Sequence, residues 1–89
     1  MPNKKDNEKD GIFKMYFDLT KQAVNDYGKN SVVLLQVGSF YEIYGLTEED
    51  GSYSGSNITD VATCCRMNIR PKHLTFNDKE IVMAGFPDK

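Results

Sequence analysis

Val32-Val33-Leu34-Leu35-Gln36-Val37-Gly38-Ser39-Phe40-Tyr41-Glu42-Ile43-Tyr44 is an apolar, β-branched run, broken once at Gly38-Ser39 and resumed as an aromatic segment of alternating character. β-branched side chains fit a pleated surface, and a run as short as Val32 to Val37 suits a strand better than a helix, so this half reads as a buried strand. Gly38 lets the backbone turn or come close to another group. If the second half is extended, Phe40 and Glu42 share one face while Tyr41 and Ile43 share the other. One reading makes Phe40 a core residue and Glu42 a solvated charge. Because the two share a face, however, either a carboxylate faces the core or a Phe faces water. An exposed aromatic beside an acid, next to a turn, is the arrangement of a contact site.

Before this run, Met1 to Asp10 (MPNKKDNEKD) offers almost nothing apolar to bury, so residues 1–10 read as a mobile polar tail. From Gly11 to Tyr27, Ile12, Met15, Tyr16, Leu19, Ala23 and Val24 recur at three- and four-residue intervals. Phe13 and Phe17 widen this stripe of an amphipathic helix, and Gly28 ends it. After Tyr44, Gly45 to Ser56 reads as an acidic loop, and Glu48-Glu49-Asp50 lacks the alternating ligand pattern of a calcium loop. Ser56 or Asn57 can cap a second helix in which Ile58, Val61, Ala62 and Cys65 fall on one face, making Cys65 a small core residue. Arg66, Arg70 and Lys72 follow as the densest basic patch, either phosphate contacts or ordinary surface charge. Leu74-Thr75-Phe76 and Ile81 to Ala84 flank Asn77-Asp78-Lys79-Glu80 as two strands joined by a short turn, and Gly85-Phe86-Pro87 ends the second.

With 89 residues the chain is one domain at most, and 39% hydrophobic and 11% aromatic content is enough for a small core. The net charge of −2 supplies no global positive field toward nucleic acid. No run spans a bilayer, so no membrane is expected as a partner, and the polar N-terminus is unlike a signal peptide. The adjacent Cys64 and Cys65 support neither a disulfide framework nor a zinc site, and a reducing interior suits them. His73, the single histidine, has no nucleophile motif or metal partners around it and reads as a surface or packing residue. A small hydrolase using Glu42 or His73 is favoured by nothing beyond their presence. The elements amount to an α/β or α+β layer: a helix, two strands, a helix and a terminal strand pair.

Gly38-Ser39-Phe40-Tyr41-Glu42 resembles the G-x-F-Y-E signature in the N-terminal mismatch-recognition domain of MutS-type DNA mismatch repair proteins. Val82-Met83-Ala84-Gly85-Phe86-Pro87 is similar to the family's P-M-A-G-[IV]-P segment, and the order and separation of the two motifs fit across Ile12 to Pro87. For residues 11–89 the resemblance implies a small mixed sheet flanked by helices. It implies Phe40 as the stacking wedge and Glu42 as its hydrogen-bonding partner, with Tyr41 holding the strand and Gly38, next to Ser39, permitting close approach to DNA. Ser39 departs from the acid that many relatives carry, and Gln36-Val37 from a basic residue. The implied partners are double-stranded DNA with a mismatch, the rest of a MutS-type protein and its dimer partner, at an intracellular location with DNA. No cofactor is implied for this chain and no enzymatic activity. ATP and magnesium belong to the ATPase of a full-length relative, whose G-x-x-x-x-G-K-[ST] loop has no counterpart here. Because the family's domain continues past the M-A-G segment, the module is expected to be incomplete at its C-terminus, leaving a sheet edge and face uncovered.

Physically, an apolar wedge in the minor groove unstacks a base step and kinks the duplex, at a cost of a few kcal/mol per step. A mismatched step is already poorly stacked, so the wedge enters it at lower cost and discrimination follows without reading sequence. Phe suits the role because its π-face stacks on any base. A carboxylate near phosphates is repelled, and that penalty favours specificity if a displaced base offsets it with an N–H donor, or if the acid takes up a proton and donates to a base nitrogen. The alternative is a non-catalytic remnant acting as a protein-interaction domain.

Overall fold

Two hairpins dominate the computed structural model, which describes residues 4–87. The first joins β1 (Leu35–Val37) to β2 (Phe40–Thr47) with Val37 opposite Phe40, so Gly38-Ser39 is a two-residue turn. Gly38 has φ +60° and Ser39 does not share its positive φ, the pattern of a type II′ turn, whose twist matches that of the strands. The second joins β4 (Arg70–Phe76) to β5 (Lys79–Pro87) through Asn77 and Asp78, at φ 52° and 65°, the pattern of type I′. The turn is thus two residues rather than four, and β5 continues through Gly85-Phe86 to Pro87, opposite Phe40. Pro87 is tolerated because it sits at the strand's end.

β2 and β5 pair along nearly their whole length, and the sheet order is β1-β2-β5-β4, with β3 (Tyr53–Ser54) also on β2. Every pairing is antiparallel, so the sheet is not mixed, while the α+β class stands. The buried strand expected at Val32–Val37 is instead a short edge strand, with Val32, Leu34 and Val37 exposed. Burial follows place in the sheet: the aromatic half, β2, has neighbours on both edges and takes the centre. β2 also absorbs Gly45-Leu46-Thr47 from the expected loop. Gly45 fits there because a Cβ would lie 2.7 Å from Ile58 Cγ2.

Helix α1 (Lys4–Tyr27) begins at Lys4 rather than Gly11, so Lys4–Asp10 of the expected tail are helical; Met1–Asn3 lie outside the described residues. Lys and Glu are good helix formers, and the chain ahead of Gly11 simply prolongs the helix. Its buried face is Phe13, Tyr16, Phe17 and Thr20, whereas Ile12, Met15 and Leu19, expected inward, are half-exposed. Aromatic packing sets this rotation: Phe13 and Tyr16 meet the Tyr44 ring edge-on at 5.2 and 5.0 Å, and Phe17 packs on Phe76 at 5.4 Å. Thr20 is accommodated by donating its hydroxyl to the Tyr16 carbonyl. Helix α2 (Ile58–Cys65) buries Ile58 and Ala62, but Cys65, expected in the core, is exposed together with Cys64. The helix stops at that point, with Arg66 as its C-cap in the left-handed region at φ 56°. Asn57 holds the N-cap position without capping; its amide donates to the Lys29 and Ser31 carbonyls, and the Ser56 hydroxyl donates to the Tyr44 carbonyl.

Candidate functional site

Register fixes which side chains stand together. Phe40, Glu42, Tyr44 and Leu46 of β2 lie opposite Pro87, Gly85, Met83 and Ile81 of β5, and Arg70 of β4 lies opposite Met83. Directly paired residues share a face. The aromatic side chains of α1 cover the Tyr44 end of this face. At the Phe40 end the face opens into a cleft of about 390 Å³ lined by Phe40, Glu42, Asn68, Arg70, Met83, Ala84 and Gly85.

Phe40 is 52% exposed and Glu42 only 8%. Both halves of the awkward choice posed by the alternation are therefore realised: the aromatic faces water and the acid is buried beside it. Tyr41 points to the other face, where it pairs with Phe86, ring centroids 5.6 Å apart. Glu42 Oε1 accepts the Tyr44 hydroxyl proton, and Lys72 Nζ lies 3.6 Å from the same oxygen. The ammonium also lies 5.8 Å from the centroid of the Tyr44 ring. Burial, and then the hydrogen bond to Glu42, push the Tyr44 phenol well above its ordinary range, so it stays a donor. Oε2 has no hydrogen-bond partner among the described residues and is not a buried orphan, and Glu42 lines the cleft.

Gly85 stands opposite Glu42. A Cβ there would come within 3.0 Å of the Tyr41 carbonyl oxygen and 3.4 Å of Glu42 Cγ, so glycine keeps the floor of the cleft clear above the carboxylate. Arg70 is exposed and makes no ion pair among the described residues, which leaves it free for an anion. The expected residues thus divide. Phe40, Glu42 and Arg70 line the cleft, and Lys72 reaches it through Glu42. Gly38 and Ser39 form the exposed turn just before Phe40, while Arg66 caps α2 and does not line the cleft. Tyr44, Gly85, Met83 and Asn68 were not singled out as site residues; for Tyr44 the signal was present, since it is two residues beyond Glu42 on one alternating strand.

Elsewhere, Glu48 and Asp50 of the acidic segment are hydrogen-bonded. Glu48 accepts from the Ser54 hydroxyl and from Lys79 Nζ, which lies 2.9 Å away, and these hold its carboxyl below the ordinary range. Asp50 accepts from the Ser52 hydroxyl and amide, closing the turn. His73 is exposed in the irregular part of β4, at φ 61°. No three His, Cys, Asp or Glu side chains converge among the described residues, and none of the described helices is long and apolar enough to cross a membrane.

No family model, curated protein or solved structure matches the chain.

Proposed function

We propose that this chain recognises mispaired or distorted duplex DNA, as part of DNA mismatch repair, and does so by binding without chemistry of its own. The observation that carries the reading is an exposed Phe40 at the start of a central strand, beside the buried carboxylate of Glu42. A tight turn precedes the Phe and strand pairing continues on both sides of it, so the ring is a rigid projection. Such a projection suits insertion at a base step, where an easily unstacked mismatch yields at lower cost. Arg70 supplies a cation for the adjacent phosphate, and Glu42 Oε2 an acceptor for a displaced base.

Fluorescence anisotropy with labelled duplexes, one with a single G·T mismatch and one fully paired, tests this at low salt. The wild-type chain should prefer the mismatch, and Phe40→Ala should abolish the preference while circular dichroism shows the fold retained. An undiminished preference in the variant sinks the wedge.

A second reading, a protein-interaction domain, is favoured by the half-exposed Ile12, Met15 and Leu19 along α1. It predicts no duplex preference and concentration-dependent association in sedimentation equilibrium.

A further inference from the structure

Cys64 and Cys65 are the last two residues of α2, and both are exposed. The end of the helix is fixed. The Ala62 carbonyl accepts from the Met67 N–H at 2.8 Å and the Thr63 carbonyl from the Arg66 N–H at 3.4 Å, which closes the last turn. Asp60, Val61, Cys64 and Cys65 stand at i, i+1, i+4 and i+5, so one side of the helix carries both thiols. That side forms one wall of a cleft of about 280 Å³, and Asn30 and Val32 belong to the other. The Asn57 amide donates to the Lys29 and Ser31 carbonyls at 2.6 and 2.9 Å and ties the two walls together. This cleft shares no residue with the one beside Phe40.

Spacing sets what the two thiols can take. Consecutive Cα atoms lie about 3.8 Å apart, short of the roughly 4.4–6.8 Å that a disulfide spans, and neighbouring side chains of a helix diverge by about 100°. The pair is therefore unsuited to a disulfide while α2 keeps its last turn. A metal ion makes a longer bridge: with metal–sulfur bonds of about 2.3 Å, two thiolates on opposite sides of an ion stand up to about 4.6 Å apart. Thiolates are soft ligands that select copper(I) or zinc. Zinc takes four ligands, and no three His, Cys, Asp or Glu side chains are placed to hold a metal among the described residues. Copper(I) is satisfied by two sulfurs in line. Asp60, in the same cleft, offers a hard oxygen that suits another class of ion.

We propose that Cys64 and Cys65 form a two-coordinate thiolate site for copper(I), separate from the duplex-binding cleft. Binding breaks two S–H bonds and forms two S–Cu bonds. Both protons go to solvent, the copper stays monovalent and the occupied site carries one negative charge. Arg66, next in sequence, makes no ion pair among the described residues and is available to balance that charge.

The test is an anaerobic titration of the full chain into copper(I) bicinchoninate, whose colour fades as the ion is withdrawn. The wild type should take one equivalent, and native mass spectrometry should show a monomer with one copper in place of two thiol protons. X-ray absorption at the copper edge should find two sulfur neighbours and no nitrogen or oxygen. Cys64→Ser and Cys65→Ser should each weaken binding by more than the about 10–100-fold that loss of a supporting residue costs a metal site. Circular dichroism should be unchanged in both, since both side chains are exposed. A wild type that withdraws no copper overturns the site, as does full affinity in either variant. One copper per two chains also overturns it, because each copy would then supply a single sulfur. The wild-type stoichiometry and the absorption edge decide the matter even if a serine variant fails to fold.

Discussion

Tyr44 holds its phenolic proton between two aromatic edges and a carboxylate, and so couples the site to the stability of the fold. Burial dominates the upward shift at both Tyr44 and Tyr16. A phenol whose folded value lies above the unfolded 10.0 contributes stability that is fully present below pH 10.0 and is lost as pH rises toward the folded value. Phenolate absorbance from these two side chains should therefore appear only together with loss of helical circular dichroism. Tyr44→Phe should remove part of that late signal. Tyr44 ionising reversibly with the fold intact would contradict the enclosure. The alternation of β2 already placed Phe40, Glu42 and Tyr44 on one face. It did not show the ion pair of Glu42 with Lys72, which arrives from β4 across the intervening strand β5. The role of Gly85 was hidden for a similar reason, since its constraint is the side chain it faces across the pairing with β2.

Turns and strands declared themselves more plainly than burial. Gly38-Ser39 and Asn77-Asp78 each carry residue types suited to positive φ, and both became two-residue turns. β3, with two residues, is shorter than any periodicity can reveal. Helix α1 carries two apolar stripes, and spacing alone does not choose between them. The choice falls to Phe13, Tyr16 and Phe17 because Tyr44 and Phe76 offer matching ring edges and faces. Tyr16 also closes the seam in the sheet. β1 and β3 pair with the same edge of β2 and leave Tyr44 between them unpaired. There the Tyr16 hydroxyl accepts from the Tyr44 N–H and donates to the Val33 carbonyl at 2.8 Å. Tyr16→Phe keeps the packing and leaves both backbone groups without that partner. It should cost about 1–3 kcal/mol in urea unfolding, with an unchanged m-value. A loss below about 0.5 kcal/mol would mean that other groups replace the hydroxyl there.

Over the entire molecule, charge distribution decides what kind of duplex binding is feasible. The chain carries 11 basic and 13 acidic residues, and the described ion pairs take Lys14, Lys72 and Lys79 out of the free set. At the cleft this leaves Arg70 as an unpaired cation among the described residues, with Lys72 shared with Glu42. A protein held on DNA by many phosphate contacts has a steep salt dependence, about −0.9 in log K per log salt for each phosphate neutralised. The proposed site engages one or two, so the slope should lie between about −1 and −2, and discrimination between mismatched and paired duplex should persist as salt rises, because stacking and base contacts are little screened. Arg70→Gln should reduce the slope by about 1 and weaken both duplexes alike, whereas Phe40→Ala should leave the slope in place and remove the difference between them. Anisotropy titrations at several salt concentrations on the three proteins separate these effects. A steep wild-type slope that survives Arg70→Gln would put the DNA on some other surface of the molecule, away from Phe40.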